Sequence, residues 1–192
     1  MSPWGGRLVL TVLLVLFALV LLVGFYAVGV YNGLVRYRNW IQESWAQIDV
    51  QLKRRHDLIP NLVETVKGYM KYEQETLEKV VAMRNRLVAG SPEERVEADN
   101  QLTGALRQLF ALAENYPDLK ANENFLRLQE ELTTTENKIA YARQLYNKTV
   151  AEYNIRRETF PANLFAGMFG FARVEPLSIP EAEREAPQVR FS

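Results

Sequence analysis

Residues 8–31 form an almost wholly apolar run, LVLTVLLVLFALVLLVGFYAVGVY, with no charge between Arg7 and Arg36. Coiled as a helix it spans roughly 36 Å, enough to cross a hydrocarbon core of about 30 Å with some tilt. Tyr26 and Tyr31 stand near its end, where amphipathic rings suit the membrane–water boundary. Beyond it the pattern becomes helical. The positions Ile41, Trp45, Ile48, Leu52, Arg55, Ile59, Leu62, Val66, Tyr69, Glu73, Thr76, Val80, Met83 and Leu87 alternate steps of four and three. That spacing predicts a long helix packed lengthwise on another. Pro60 falls inside the seam without disturbing its phase. Because proline lacks an N–H and crowds the carbonyl of His56, a kink there is expected.

Gly90-Ser91-Pro92-Glu93-Glu94 reads as a stop and restart: glycine past a helix end, serine as cap, proline at the first position and carboxylates behind it. Leu102, Leu106, Leu109 and Ala113 stripe the second helix until Asn115-Tyr116-Pro117-Asp118 breaks it. A third seam runs through Ala121, Phe125, Leu128, Leu132, Thr135, Ile139, Ala142, Tyr146, Thr149 and Tyr153, stopping near Phe160-Pro161. The expected architecture is all-α. An N-terminal transmembrane helix precedes an antiparallel bundle of three long helices, the first kinked near Pro60, then a short apolar segment and an extended C-terminal tail. The expected boundaries are 1–32, 33–158 and 159–192.

A cleaved secretory signal is the competing reading of the apolar run, with Ala27-Val28-Gly29 as a cleavage site. A signal's apolar region is normally about 7–15 residues, shorter than this one. Arg36, Arg38, Lys53, Arg54 and Arg55 after the run outweigh Arg7 before it, which favours an external N-terminus and a cytoplasmic body. Lys+Arg and Asp+Glu are each 23, so the part beyond the run is nearly neutral. A nucleic-acid-binding domain normally carries a basic face, and no such partner is expected. One histidine and no cysteine exclude the common zinc sets and disulfides. No phosphate loop, nucleophile elbow or dinucleotide fingerprint occurs. Catalytic, cofactor and metal sites are therefore all expected to be absent.

Three stretches hold the candidate interaction residues. In 53–61, Arg54, Arg55, Asp57 and Asn61 form the densest polar cluster. It is expected to be a solvated charge cluster, with Asp57 accepting backbone N–H groups freed around Pro60. In 114–124, Tyr116, Asp118 and Asn122 surround Pro117 and suit a turn and helix start; the alternating acids of a calcium loop are missing. In 160–171, Phe165, Met168, Phe169 and Phe171 follow Pro161, too many large apolar side chains to leave in water. They pack on the bundle, touch lipid or meet a partner. If Pro60 only kinks, the third helix runs away from the bilayer and carries this segment with it; if Pro60 reverses the chain, the segment returns to lipid. The tail from Arg173 contains Pro176, Pro180 and Pro187 and is expected to be extended or loosely docked; ordinary terminal disorder is the favoured reading of its Pro187–Phe191 end, with a short recognition peptide as the alternative.

Four of these stretches, in this order, resemble the LemA family: Asp49–Tyr69 (DVQLKRRHDLIPNLVETVKGY), Tyr116–Phe125 (YPDLKANENF), Tyr153-Asn154 and Phe160–Phe171 (FPANLFAGMFGF). The resemblance covers roughly residues 30–192. It implies a bacterial single-pass inner-membrane protein with a short external N-terminus and a cytoplasmic helical domain, and it brings no established activity. His56 stands where the family tolerates variation, which argues against a catalytic histidine. Residues and resemblance together lead to a membrane-anchored scaffold or interaction protein. Its partners would be the bilayer through residues 8–31, other membrane proteins and a second copy of itself. The alternatives are a membrane-remodelling element that inserts Phe160–Phe171 and an enzyme built on Asp57.

Overall fold

The structure, a computed structural model, describes residues 3–179, with side chains from residue 6 onward. Its helices are α1 (Pro3–Lys67), α2 (Gln74–Arg86), α3 (Pro92–Ala113), α4 (Pro117–Lys120), α5 (Glu123–Glu158) and α6 (Ala162–Met168), and there is no strand among the described residues. They fall into two compact units. An anchor unit takes residues 3–42 together with Thr149–Glu175; a bundle unit takes Glu43–Lys148 and residues 176–179. The all-α expectation holds. The Pro187–Phe191 peptide lies outside the described residues.

The bundle unit contains four long helical segments rather than three, with the one-turn α4 between the last two. The first seam does not continue as one helix to Leu87. It ends at Lys67, where the Val66 carbonyl accepts the N–H groups of Tyr69 and Met70 at 2.9 Å. Residues 68–73 turn the chain, and α2 runs back. Side-chain pairs fix the directions. Trp45 and Arg54 of α1, and Tyr69 just past its end, meet Tyr146 and Glu131 of α5 and Asn122 just before its start, so these two run antiparallel. Asp49 and Arg55 meet Arg95 and Asp99 of α3, which runs parallel to α1. The order is up-down-up-down, with Ile48, Leu52, Ile59, Leu62, Leu102 and Leu109 fully buried between the helices. Each such side chain contributes about 1.5–3 kcal/mol of transfer free energy.

Pro60 neither reverses nor stops α1, which continues through it to Lys67. The carbonyl that Pro60 cannot serve is that of His56, four residues back. Arg84 of α2 donates its Nε–H to this carbonyl at 3.0 Å. The proline is thus tolerated because the neighbouring helix supplies the missing donor. At the next junction the expected stop and restart is present. Gly90 has φ +99°, a conformation that favours glycine, and Ser91 and Glu94 form a reciprocal capping box at 3.2 and 2.8 Å. Pro92 begins α3, Pro117 begins α4, and the Asn122 side chain caps α5 by accepting the Phe125 N–H at 3.1 Å.

The anchor unit overturns the expected consequence of an unreversed Pro60. Within this unit the last turns of α5, then α6, lie along residues 26–42 of α1, and Val30, Leu34, Ile41, Val150 and Tyr153 are buried between them. The apolar segment therefore returns to the end of the apolar run. The turn at 68–73, absent from the expected pattern, is what makes α5 antiparallel to α1.

Candidate functional site

The apolar half of α1 exposes its large side chains throughout, Leu8 to Phe25 among them, and no part of its most apolar window is buried. By length and composition this helix can cross a membrane. At its end, three of the four aromatic or thioether candidates converge. Phe165 of α6 stands edge-on to Tyr26 with centroids 5.8 Å apart; Phe169 and Phe171 stand 5.2 and 5.6 Å from Tyr31. Edge-to-face pairs of this kind contribute about 0.5–1.5 kcal/mol beyond their buried area. Met168 does not join them. It is 78% exposed, one turn beyond the exposed Leu164 of α6. The Arg38 guanidinium lies 5.6 Å over the Phe171 ring.

After Gly170, whose φ of +70° turns the backbone, the chain runs back along α5. Arg157 donates to the Phe171 carbonyl at 2.7 Å and the Tyr153 hydroxyl to that of Ala172 at 2.8 Å. The Asn154 amide then clasps Val174, donating to its carbonyl at 2.7 Å and accepting its N–H at 3.1 Å. Within the bundle unit Asn147 holds Leu177 in the same way, at 2.9 and 2.8 Å. Each asparagine thus reads both backbone groups of one residue of the extended chain within its own unit. Burial pushes the Tyr153 hydroxyl above its usual range, with Arg157 and Arg38 opposing.

In the bundle unit the cluster at 53–61 is dispersed, and Arg55 corrects the expectation of solvated charge. Its side chain is fully buried. Nη1 donates to Asp99 at 2.6 Å and to the Thr103 hydroxyl at 3.0 Å, while Nη2 lies 3.5 Å from Glu136. Glu136 also meets Arg107 at 3.1 Å, and Arg143 donates to Asn100 at 3.0 Å. Burial, the largest influence, pushes the Asp99 carboxyl up; Arg55 and Arg143 oppose this and Glu136 adds to it. Arg55 and Asp99 are shut off from solvent while Glu136 stays partly exposed, so the buried pair ties α1 to α3 and reaches toward α5.

The other candidates stay apart. Arg54 is exposed and 3.7 Å from Glu131. Asp57 is exposed and meets the His56 ring at 3.0 Å, not the backbone groups around Pro60. Asn61 is exposed, and its carbonyl accepts from Thr65 at 2.8 Å. Tyr116 and Asp118 flank Pro117 at the surface, and Asn122 donates to the Tyr69 hydroxyl at 3.2 Å. Among the described residues no group of three or more His, Asp or Glu is placed to hold a metal ion. A surface groove of about 760 Å³ runs between α1 and α5 of the bundle, bordered by Val50, Lys138 and Tyr141.

Comparison with known proteins agrees with the motifs. The profile of the LemA family matches residues 44–191. Protein LemA of Metamycoplasma hominis is 31% identical over 165 residues, covering 83% of this chain and 74% of that protein. Magnetosome protein MamQ of Magnetospirillum gryphiswaldense is 24% identical over 172 residues, covering 76% of this chain and 63% of that protein. Magnetosome protein MamQ 2 of Paramagnetospirillum magneticum matches to the same extent. This chain belongs to the LemA family.

Proposed function

We propose that this LemA-family chain is a single-pass, membrane-anchored interaction protein without catalytic activity. Residues 8–31 of α1 hold it in a bacterial inner membrane, with the N-terminus outside and the bundle in the cytoplasm. The observation that carries the reading is the apolar half of α1, wholly exposed yet continuous with a helix of the bundle. Water does not tolerate that surface; a bilayer does. The balance of arginines after the run supports the orientation. The inward-facing charges of the bundle are consumed by one another, and what the bundle offers outward is surface for another membrane protein or a second copy. The groove bordered by Val50 and Tyr141, both exposed, is one part of that surface.

A photoreactive amino acid at position 141 tests this in cells. A discrete cross-linked product is expected. A detergent-solubilised protein that is strictly monomeric and yields no cross-linked partner would count decisively against the interaction role.

One observation favours a membrane-surface role for α6 alongside this. Leu164 and Met168, one turn apart on α6, are 58 and 78% exposed, and Phe160 just before the helix is 75% exposed, beside the end of the apolar run. An apolar helical face at that position suits the headgroup boundary. An environment-sensitive fluorophore on Met168→Cys is expected to shift to the blue in bilayers. An emission equal to that in water would rule the insertion out.

A further inference from the structure

The anchor unit holds a groove of about 660 Å³ along α1 and α5. Tyr26, Gly29, Val30 and Ala162 line its apolar end, and Tyr37, Glu152 and Arg156 its polar end. The apolar end belongs to the last turns of the run. A Cβ on Gly29 would meet no atom within 4 Å, so the groove is open above it. At the polar end the Arg156 guanidinium lies 5.7 Å over the Tyr37 ring and close to Gly33, where an added Cβ would stand 3.2 Å from Nε. Gly33 is two residues beyond Tyr31, about 3 Å along the helix, so this cation stands just outside the hydrocarbon, where lipid phosphates begin.

Glu152 is one turn from Arg156, roughly 6 Å farther along α5 in the direction away from the run. Residues of opposite charge at this spacing commonly pair. Here they do not: among the described residues neither makes an ion pair, and the guanidinium rests on Tyr37 instead. The groove therefore presents an apolar floor, then a cation, then an anion, in that order.

We propose that it binds one phosphatidylethanolamine molecule of the surrounding leaflet. An acyl chain lies over Gly29, the phosphate meets Arg156, and the ammonium meets Glu152. Charge complementarity selects this headgroup. A phosphatidylglycerol headgroup leaves Glu152 facing a net negative lipid, and choline has no N–H to donate to the carboxylate. The proposal rests on the anchor reading above.

The test uses the full chain in phosphatidylcholine nanodiscs with phosphatidylethanolamine or phosphatidylglycerol added, followed by native mass spectrometry of the released protein with its retained lipid. One phosphatidylethanolamine is expected to be retained, about tenfold in preference to phosphatidylcholine. Arg156→Gln is expected to lose that preference, and Gly29→Phe to reduce retention of all three lipids by filling the floor. Glu152→Gln, an exposed change that leaves the fold intact by circular dichroism, is expected to shift the preference toward phosphatidylglycerol; Lys71→Gln, in the bundle unit, changes nothing. Equal retention of the three lipids by the natural sequence, or an unchanged preference in Glu152→Gln, overturns the proposal while leaving the anchor in place. A chain that never enters the nanodisc overturns the anchor reading and the groove with it.

Discussion

Arg55 and Asp99 show what a single buried pair commits a bundle to. Both are buried, and the guanidinium spans from α1 to α3 and toward α5. Taking one partner away leaves the other charge uncompensated, so Arg55→Ala is expected to cost about 3–5 kcal/mol in denaturation of the full chain in detergent, whereas Arg55→Met combined with Asp99→Leu costs far less. A single-variant cost below that of the pair would contradict this account. Asp99 also sets a pH dependence. Its carboxyl is raised from the ordinary 3.8 chiefly by burial, so the folded state holds the proton more tightly than the unfolded state. The stability this adds is complete below pH 3.8 and is lost as pH rises through the folded value. Relative to Asp99→Asn, which cannot ionise, the natural chain is expected to lose melting temperature steadily as pH rises from acid toward neutral. Half of this centre was legible. Arg55 falls on an otherwise apolar seam, which places it inward. Asp99 continues the stripe of Leu102, Leu106 and Leu109 by a step of three, and a carboxylate on one seam facing an arginine on another was the signal that went unused.

At the scale of elements, the seam through 41–87 concealed a turn. Steps of three and four persist across Gly68 because both arms of a helical hairpin face the same core, and periodicity reports the facing, not the direction. The available marks were Gly68 itself and Tyr72, which is 90% exposed beside buried Met70. The caps were more legible, because Gly90, Ser91 and Pro92 act through local geometry that needs no tertiary partner. Pro60 was legible only in part. Its cost is local, but the remedy comes from Arg84, twenty-four residues on, and no spacing rule couples them. Arg84→Ala is expected to destabilise the chain by about 1–3 kcal/mol by leaving the His56 carbonyl unsatisfied. In a Pro60→Ala background a helical N–H serves that carbonyl, and the same substitution is expected to cost clearly less. Equal costs in both backgrounds, measured as a double-mutant cycle, would refute the link. The asparagine clasps make a separate prediction. Asn154→Ala is expected to raise amide exchange at Val174 while leaving Tyr153 protected, since α5 has its own backbone bonds.

For the whole molecule, the family and the all-helical character were readable from motifs and periodicity, and the apolar run from composition alone. The return of Phe165, Phe169 and Phe171 to Tyr26 and Tyr31 was not readable, because it depends on the number of chain reversals between them. One missed turn decided whether the segment meets the end of the apolar run. The central claim is that α1 crosses the bilayer and leaves the bundle on one side. The described residues contain no cysteine to interfere with labelling. Single cysteines at Ser2 and Lys71 of the full chain, challenged in intact cells with an impermeant thiol reagent, test the claim most directly. The account predicts labelling at position 2 from outside and at position 71 only after permeabilisation. Labelling of both positions from the same side would contradict it.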